Sequence, residues 1–198
     1  MRLSLSLRVL LLLLSLCLLS LTACAPGAGR NPFAYAEAPF SLWVEGTYLP
    51  ANDPLGTPRP FVAEVRVGAP RNGDPTRRDL TVTFTSPASL AGVTVTATLS
   101  PTPEGGMHRR VEMTYPSSYG TIRTTSTGEE LNGFLRFAEG WLPLGDVAEA
   151  SPKTADGSYT VTRRSGDREM VFTFAAGRDL PVGVRLTDRY GVVDMYAK

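Results

Sequence analysis

From position 40 onward, apolar and polar residues alternate along most of the chain. A period of two residues is typical of β-strands that bury one face and expose the other. The alternating runs are rich in Val, Thr, Phe and Tyr, the residue types that pleated, half-buried surfaces favour. The pattern predicts ten strands, at residues 40–49, 61–67, 80–84, 93–99, 109–115, 119–125, 158–164, 169–175, 182–186 and 192–196.

Turn-forming residues separate these runs. Gly, Asn, Asp and Pro cluster between them, and Ser165-Gly166 between two strong runs is the clearest hairpin signal. Because such short connections join antiparallel neighbours, the sheet is expected to be mostly antiparallel. No linker-like segment interrupts residues 39–198, which we interpret as a single β-rich domain.

One segment departs from the alternation. Between Glu129 and Trp141 the apolar residues share one helical face, and Gly140 and Pro143 would end such a helix. Thr127, with Glu130 three residues later, fits a capping box at its start. A helix of roughly twelve residues with many large side chains needs a sheet to pack against. The sequence therefore predicts a mainly β fold: a curved antiparallel sheet, or incomplete β-barrel, of about ten strands with one apolar helix on its concave face.

Two stretches have a distinctive order of elements. Residues 84–95, FTSPASLAGVTV, combine a strand, a Ser-Pro break and a second strand. Residues 179–195 combine a Leu-Pro pair, a strand, a glycine turn and a final strand. Both stretches, and the order of elements over most of 39–198, resemble the LolA/LolB-like family of lipoprotein carriers and receptors, which includes sensor and germination lipoproteins. The resemblance implies a half β-barrel whose apolar concave face accepts acyl chains beneath a helical lid.

An open curved sheet has one face to fill, and a single short helix covers only part of it. Uncovered apolar surface of that kind is typical of a binding site. The same side chains could instead be ordinary core. The candidate cavity-lining residues are Phe84, Val95, Leu131, Phe134, Leu135, Ala138, Trp141 and Phe172.

The first 24 residues are typical of a secretory signal peptide. Arg2 and Arg8 form a basic start, and the apolar run 9–21 is shorter than the roughly 20 residues of a membrane-spanning helix. The segment ends in Leu21-Thr22-Ala23-Cys24, which resembles the lipobox of bacterial lipoproteins. The alternative is an ordinary signal peptide with a chance cysteine.

The lipobox resemblance implies a lipoprotein signal peptide at 1–23 and palmitate-type acyl chains attached at Cys24. The protein would then be extracytoplasmic and anchored to the bacterial membrane through that lipid. Ala25 rather than aspartate after the cysteine implies the outer membrane in a cell with two membranes. In a cell with one membrane, it implies the outer face of the cytoplasmic membrane.

Residues 24–38 are expected to be the lipidated cysteine and a flexible tether, since the early part is Gly- and Pro-rich. Removing residues 1–23 also removes two of the 20 basic residues, which leaves 18 against 19 acidic ones, a net charge of about −1. Nucleic-acid binding is therefore disfavoured, because no basic surplus is left to neutralise phosphates.

Catalytic and metal chemistry finds little support in the composition. The chain has one histidine, His108, and no cysteine after Cys24, so zinc sites, disulfides and Cys/His catalysis are disfavoured. No phosphate loop or nucleophile elbow is present. We therefore expect no catalytic residues, no metal and no cofactor.

The charged clusters have ordinary explanations. The runs 77–79, 108–110 and 163–164 are interpreted as solvated strand ends, although their arginines could contact anionic headgroups. Glu129-Glu130 fits the start of a helix, where its dipole favours acidic residues.

Three function hypotheses remain, and the third, an enzyme, is disfavoured because the chain lacks an acid, base and nucleophile set. The first is a membrane-anchored lipoprotein that binds a lipid or acyl chain in an apolar half-barrel cavity. The second is an envelope protein–protein interaction or sensor module with the same fold and a filled cavity. Openness of the cavity separates the first two hypotheses.

Overall fold

The computed structural model describes residues 31–198 except 54, 75–76, 104–106, 119 and 129–132. Residues Pro32–Lys198 belong to one compact unit, which is the β-rich part of the chain. The predicted signal peptide, Cys24, Leu131 and Glu129-Glu130 lie outside the described residues.

The described residues form eleven strands in one sheet, and every pairing is antiparallel. The spatial order is β6-β5-β4-β3-β2-β1-β11-β10-β9-β8-β7, so the first and last strands pair at the middle and β6 and β7 form the edges. The sheet is curved and unclosed, which confirms the predicted incomplete barrel. The strands are β1 (Phe40–Pro50), β2 (Arg59–Val67), β3 (Asp79–Ser86), β4 (Thr94–Pro101), β5 (Met107–Ser117), β6 (Gly120–Gly128), β7 (Asp146–Ala150), β8 (Tyr159–Ser165), β9 (Arg168–Phe174), β10 (Gly183–Asp188) and β11 (Gly191–Ala197).

Ten of the eleven strands match the ten predicted from alternation. The Ser165-Gly166 hairpin is also present: Ser165 pairs with Arg168, and Gly166 has a φ of 60° in the two-residue turn. The strand that the pattern does not predict is β7, whose five residues are all exposed. Because no side chain of this edge strand faces the core, it has no apolar alternation to detect.

The predicted helix is much shorter than expected. The structure has one four-residue α-helix among the described residues, α1 (Arg136–Glu139). The expected capping box is wrong, because Thr127 lies within β6. All four residues of α1 are buried, its charged Arg136 and Glu139 included. The segment is therefore held by tertiary contacts on all sides rather than by one apolar stripe.

Part of the expected tether belongs to the folded unit. A 3-10 helix, Ala34–Glu37, precedes β1, and Phe33 and Ala36 are buried. The Phe33 ring lies edge-on to Phe172 and Phe174 of β9, with ring centroids 5.0 and 5.8 Å apart. The aromatic contacts explain why the compact unit begins at Pro32 rather than at Pro39.

Alternation along the strands places the core on the concave face. In β2 and β3, Phe61, Ala63, Val65, Leu80, Val82 and Phe84 are buried, while the residues between them are more exposed. Gly46 of β1 pairs with both Phe61 and Met195. A β-carbon at Gly46 would overlap the carbonyl oxygen of Asp194 and crowd the Phe61 ring. Glycine at this position therefore lets the central strands and Phe61 pack closely.

Candidate functional site

The chain crosses the concave face between the two edge strands. β6 and β7 are consecutive in sequence but lie at opposite edges of the sheet, so the connection between them must span the sheet. On this path Leu135, Ala138 and Trp141 are fully buried, and Leu142 is 1% exposed. α1 contacts β2 and β3. The crossing segment thus fills much of the concave face with its own side chains.

A buried carboxylate ties the crossing segment to both halves of the sheet. Glu139 is fully buried and accepts hydrogen bonds from Nε of Arg109 at 2.6 Å and from Nη1 of Arg168 at 3.0 Å. Arg109 lies on β5 and Arg168 on β9, which flank opposite sides of the central strands. The Arg109–Glu139–Arg168 triad therefore bridges the opening of the curved sheet with ion pairs.

Arg136 makes a second buried attachment. Its Nη2 donates to the Gly191 carbonyl at 2.9 Å and lies 2.8 Å from Oδ1 of Asp188. The guanidinium also lies over the Tyr48 and Tyr190 rings, 5.3 and 5.7 Å from their centroids. Such charge-assisted bonds fix α1 against the β10–β11 turn.

The 3-10 helix segment covers another part of the concave face. The Tyr35 hydroxyl donates to the Trp141 carbonyl at 2.7 Å, and Nη2 of buried Arg78 donates to the Ala36 carbonyl at 2.6 Å. Burial raises the pKa of Tyr35, against the opposing effect of nearby Arg163 and Arg78. Burial also lowers the pKa values of Arg78 and Arg163. The two covering segments thus lie on the concave face where a large ligand would otherwise sit.

An apolar cleft remains at one end of the concave face, with a volume of about 360 Å³. Its floor consists of buried Phe61, Phe84 and Phe137, whose rings lie 4.4 to 6.3 Å apart in edge-to-face arrangements. Half-buried Phe134 lies 5.5 Å from Phe84 and closes one side. The other lining residues are Tyr48, Arg59, Pro60, Pro87, Ser89, Leu90 and Gly133. The volume is at the low end of the roughly 300–1,000 Å³ typical of ligand pockets.

An arginine marks the mouth of the cleft. Arg59 is the first residue of β2, its side chain is 67% exposed, and its Nη2 donates to Oδ2 of Asp53 at 3.0 Å. The Asp53 carboxylate also accepts the Leu55 backbone N–H at 2.9 Å. Together the Leu55 N–H and the Arg59 guanidinium lower the pKa of Asp53. The β1–β2 loop therefore holds a cation beside an apolar floor.

A second groove, of about 440 Å³, lies at the other end of β1, β2 and β3. Its lining mixes apolar and polar residues, including Phe40, Val67, Arg66 and Asp79. Arg66 and Asp79 are engaged in ion pairs with Glu64 and Arg71. The groove is larger but lacks an enclosed apolar floor, so the aromatic cleft is the better candidate site.

The structure places the predicted cavity residues in two groups. Phe84 and Phe134 line the cleft. Val95, Leu135, Ala138, Trp141 and Phe172 are fully buried in the core and do not line it, and Leu131 lies outside the described residues. The interpretation of the charged runs as solvated is wrong for Arg78 and Arg109, which are 0% and 7% exposed. His108, Arg110 and Arg164 are exposed as expected.

The remaining cleft residues carry no signal in the sequence that marks them as part of a site. Phe61 belongs to an alternating run, and nothing in that alternation distinguishes it from ordinary core. Tyr48 pairs directly with Arg59 across β1 and β2, a register that only the structure reveals. Pro87 and Leu90 belong to the Ser-Pro break between β3 and β4, and a break in the pattern does not by itself indicate a cleft wall.

Neither a metal site nor a membrane-spanning helix is found in the described part of the chain. Within it, no group of three or more His, Cys, Asp or Glu residues could hold a metal ion. No helix among the same residues is both long enough and apolar enough to cross a membrane.

Two solved structures are similar to the chain. One is an uncharacterized conserved protein from Thermus thermophilus, with a TM-score of 0.42 and 14% identity over 84% of this chain and 80% of that chain. The other is a DUF1329 family protein from Desulfovibrio piger, with a TM-score of 0.47 and 9% identity over 85% of this chain and 92% of that chain. No family model and no curated protein matches the chain.

Proposed function

We propose that this protein is a membrane-anchored extracytoplasmic lipoprotein that binds one apolar chain in the aromatic cleft. The observation that carries the binding proposal is the cleft itself. Three buried phenylalanine rings form its floor, while half-buried Phe134 and Leu90 remain partly open to solvent. A concave apolar site with few polar groups is the usual form of a small-ligand site.

The filled concave face limits the ligand in this proposal. An open half-barrel would offer its concave face to several acyl chains. Here that space is occupied by Trp141, Leu142 and Phe33. The cleft suits a single chain or a small apolar group. We also propose that the cleft binds its ligand without catalysing a reaction.

The anchoring part of the proposal rests on the sequence. Leu21-Thr22-Ala23-Cys24 resembles a lipobox, and two or three acyl chains on Cys24 would give essentially permanent attachment. Cys24→Ala should abolish metabolic labelling with a clickable palmitate. Cys17→Ala is the matched control and should label like the wild type. Continued labelling of Cys24→Ala would refute acylation at this residue.

The binding part is tested by thermal melting of residues 32–198 with and without palmitate. A ligand at about 100 times its Kd stabilises by about 2.7 kcal/mol, which raises Tm by roughly 5–10 °C at this chain length. Phe134→Ala should melt slightly lower than the wild type and lose most of the ligand shift. Phe172→Ala, a core residue outside the cleft, should lose about 3–5 kcal/mol of stability and keep the shift.

A second function is favoured by the same filled face. If palmitate and lysophospholipid both leave the wild-type Tm unchanged while Phe134→Ala strongly destabilises the domain, the cleft is ordinary core. The protein would then be better explained as an envelope protein–protein interaction or sensor module. The exposed edge strands β6 and β7 would offer backbone groups to such a partner.

A further inference from the structure

The positively charged Arg59 lies at the mouth of the cleft, on the same strand as Phe61 of the apolar floor. Arg59 and Phe61 are two residues apart on β2, so their side chains project from the same face. Both line the cleft, yet Phe61 is 4% exposed whereas the Arg59 side chain is 67% exposed. A ligand lying on the Phe61 ring would therefore reach the guanidinium at its solvent end.

The β1–β2 loop fixes the position of this guanidinium. Asp53 accepts one hydrogen bond from Nη2 of Arg59 and is itself held by the Leu55 backbone N–H. An arginine side chain carries five N–H donors in a planar fork. Because the Arg59 side chain is 67% exposed, a ligand carboxylate could approach it from solvent and accept two of these N–H groups in parallel.

We propose that the cleft selects a free fatty acid, with its alkyl chain on the phenylalanine floor and its carboxylate at Arg59. The inference rests on the proposed function and specifies its ligand. The described residues that line the cleft include the cation Arg59 and no acidic residue, and a ligand carboxylate would share the Arg59 guanidinium with Asp53. Asp53 positions Arg59 and does not itself contact the ligand.

The size of the effect follows from the exposure of Arg59. Ion pairs at solvent-exposed positions are weak, so we expect a preference of up to about five-fold for the acid over a neutral analogue. Because such a pair is screened by ions, the preference should fall as salt is added.

The test uses the full-length chain in isolated membranes and two photoreactive probes. One is a sixteen-carbon fatty acid and the other the matching primary alcohol, and both carry the same diazirine and alkyne groups. Labelling is measured by mass spectrometry on the peptides that contain Phe84 and Phe134, at probe concentrations below saturation. We expect the acid to label these peptides about two- to five-fold more strongly than the alcohol does.

Two variants locate the effect. Arg59→Gln should bring the ratio of acid to alcohol labelling down to about one, whereas a misfolded variant would lose saturable labelling by both probes. Arg66→Gln is the matched control, since Arg66 lies on the same strand, is 66% exposed and pairs with Glu64. It should keep the wild-type preference for the acid.

The outcomes separate this inference from the proposed function. Equal labelling by acid and alcohol in the wild type, or an unchanged preference in Arg59→Gln, overturns the carboxylate site and leaves apolar binding in the cleft intact. Absence of saturable labelling of the cleft peptides by either probe overturns both.

Discussion

Buried charged side chains hold the crossing segment in place. Glu139 is fully buried between Arg109 and Arg168, and Arg136 is buried against Asp188. Taking such charges out of water costs free energy, so each charge stabilises the fold only while its partner is present. These residues could not be recognised from sequence, because Arg109 and Glu139 look like ordinary polar positions until the fold brings β5, β9 and α1 together.

Replacing Glu139 with Gln should strongly destabilise the protein. The change leaves buried Arg109 and half-buried Arg168 without their counter-charge, and breaking a buried pair in this way typically costs about 3–5 kcal/mol. Urea unfolding of residues 32–198 measures the loss. The matched control is Glu169→Gln, which breaks the exposed ion pair with Arg164 and should cost less than about 1 kcal/mol. Equal losses in the two variants would contradict the bridging role of Glu139.

Tyr35 should make stability fall at alkaline pH. Burial raises the pKa of its hydroxyl above the ordinary value of 10.0, so the unfolded chain releases this proton first. As pH rises above 10.0, the protein should lose about 1.4 kcal/mol per pH unit through this group.

The test is the free energy of unfolding measured between about pH 8 and 11, a range that brackets the ordinary tyrosine pKa. Tyr35→Phe should cost about 1 kcal/mol at neutral pH, through loss of the hydrogen bond to the Trp141 carbonyl, and should reduce the alkaline slope to the part that comes from Tyr159, whose pKa burial also raises. Tyr196→Phe, at an exposed tyrosine of β11, should keep the slope of the wild type. A slope in Tyr35→Phe equal to that of the wild type would assign the effect to other groups.

Elements with one buried face were predictable, and elements without one were not. Alternation identified ten strands because every second side chain points into the core. Alternation failed for β7, where every residue is exposed, and the helical stripe predicted a longer helix than α1, where polar residues are buried as well. The cleft was half predicted for the same reason: Phe84 and Phe134 stood out as large inward residues, whereas Arg59 and Tyr48 depend on strand register.

The pairing of β1 with β11 depends on Gly46. A β-carbon there would overlap the Asp194 carbonyl oxygen of β11, a backbone atom that cannot move without disrupting the ladder. Gly46→Ala should therefore lower the free energy of unfolding by about 1–3 kcal/mol or more, since overpacking usually costs this much. Gly133→Ala is the control, since nothing lies within 4 Å of its added β-carbon and its φ is outside the left-handed region. It should be neutral or slightly stabilising in the same urea titration.

The open sheet is stable as a single unit because the chain supplies its own filling. Two segments that are far apart in sequence, the crossing segment and the residues before β1, meet where the Tyr35 hydroxyl donates to the Trp141 carbonyl. Both segments pack on the concave face. In a closed barrel the edge strands would pair with each other and enclose this face, whereas here the two segments cover it. The small size of the remaining cleft is a consequence of this arrangement.

Removing residues 32–38 should therefore destabilise the whole domain. The segment contributes Phe33, which is 6% exposed and packs on Phe172 and Phe174, and the Ala36 carbonyl that accepts from Arg78. Loss of a buried phenylalanine alone typically costs about 3–5 kcal/mol. Urea unfolding of residues 39–198 against 32–198 should show at least that loss, and Phe33→Ala within 32–198 should account for most of it. Equal stability of the two fragments would contradict this contribution of residues 32–38 to the fold.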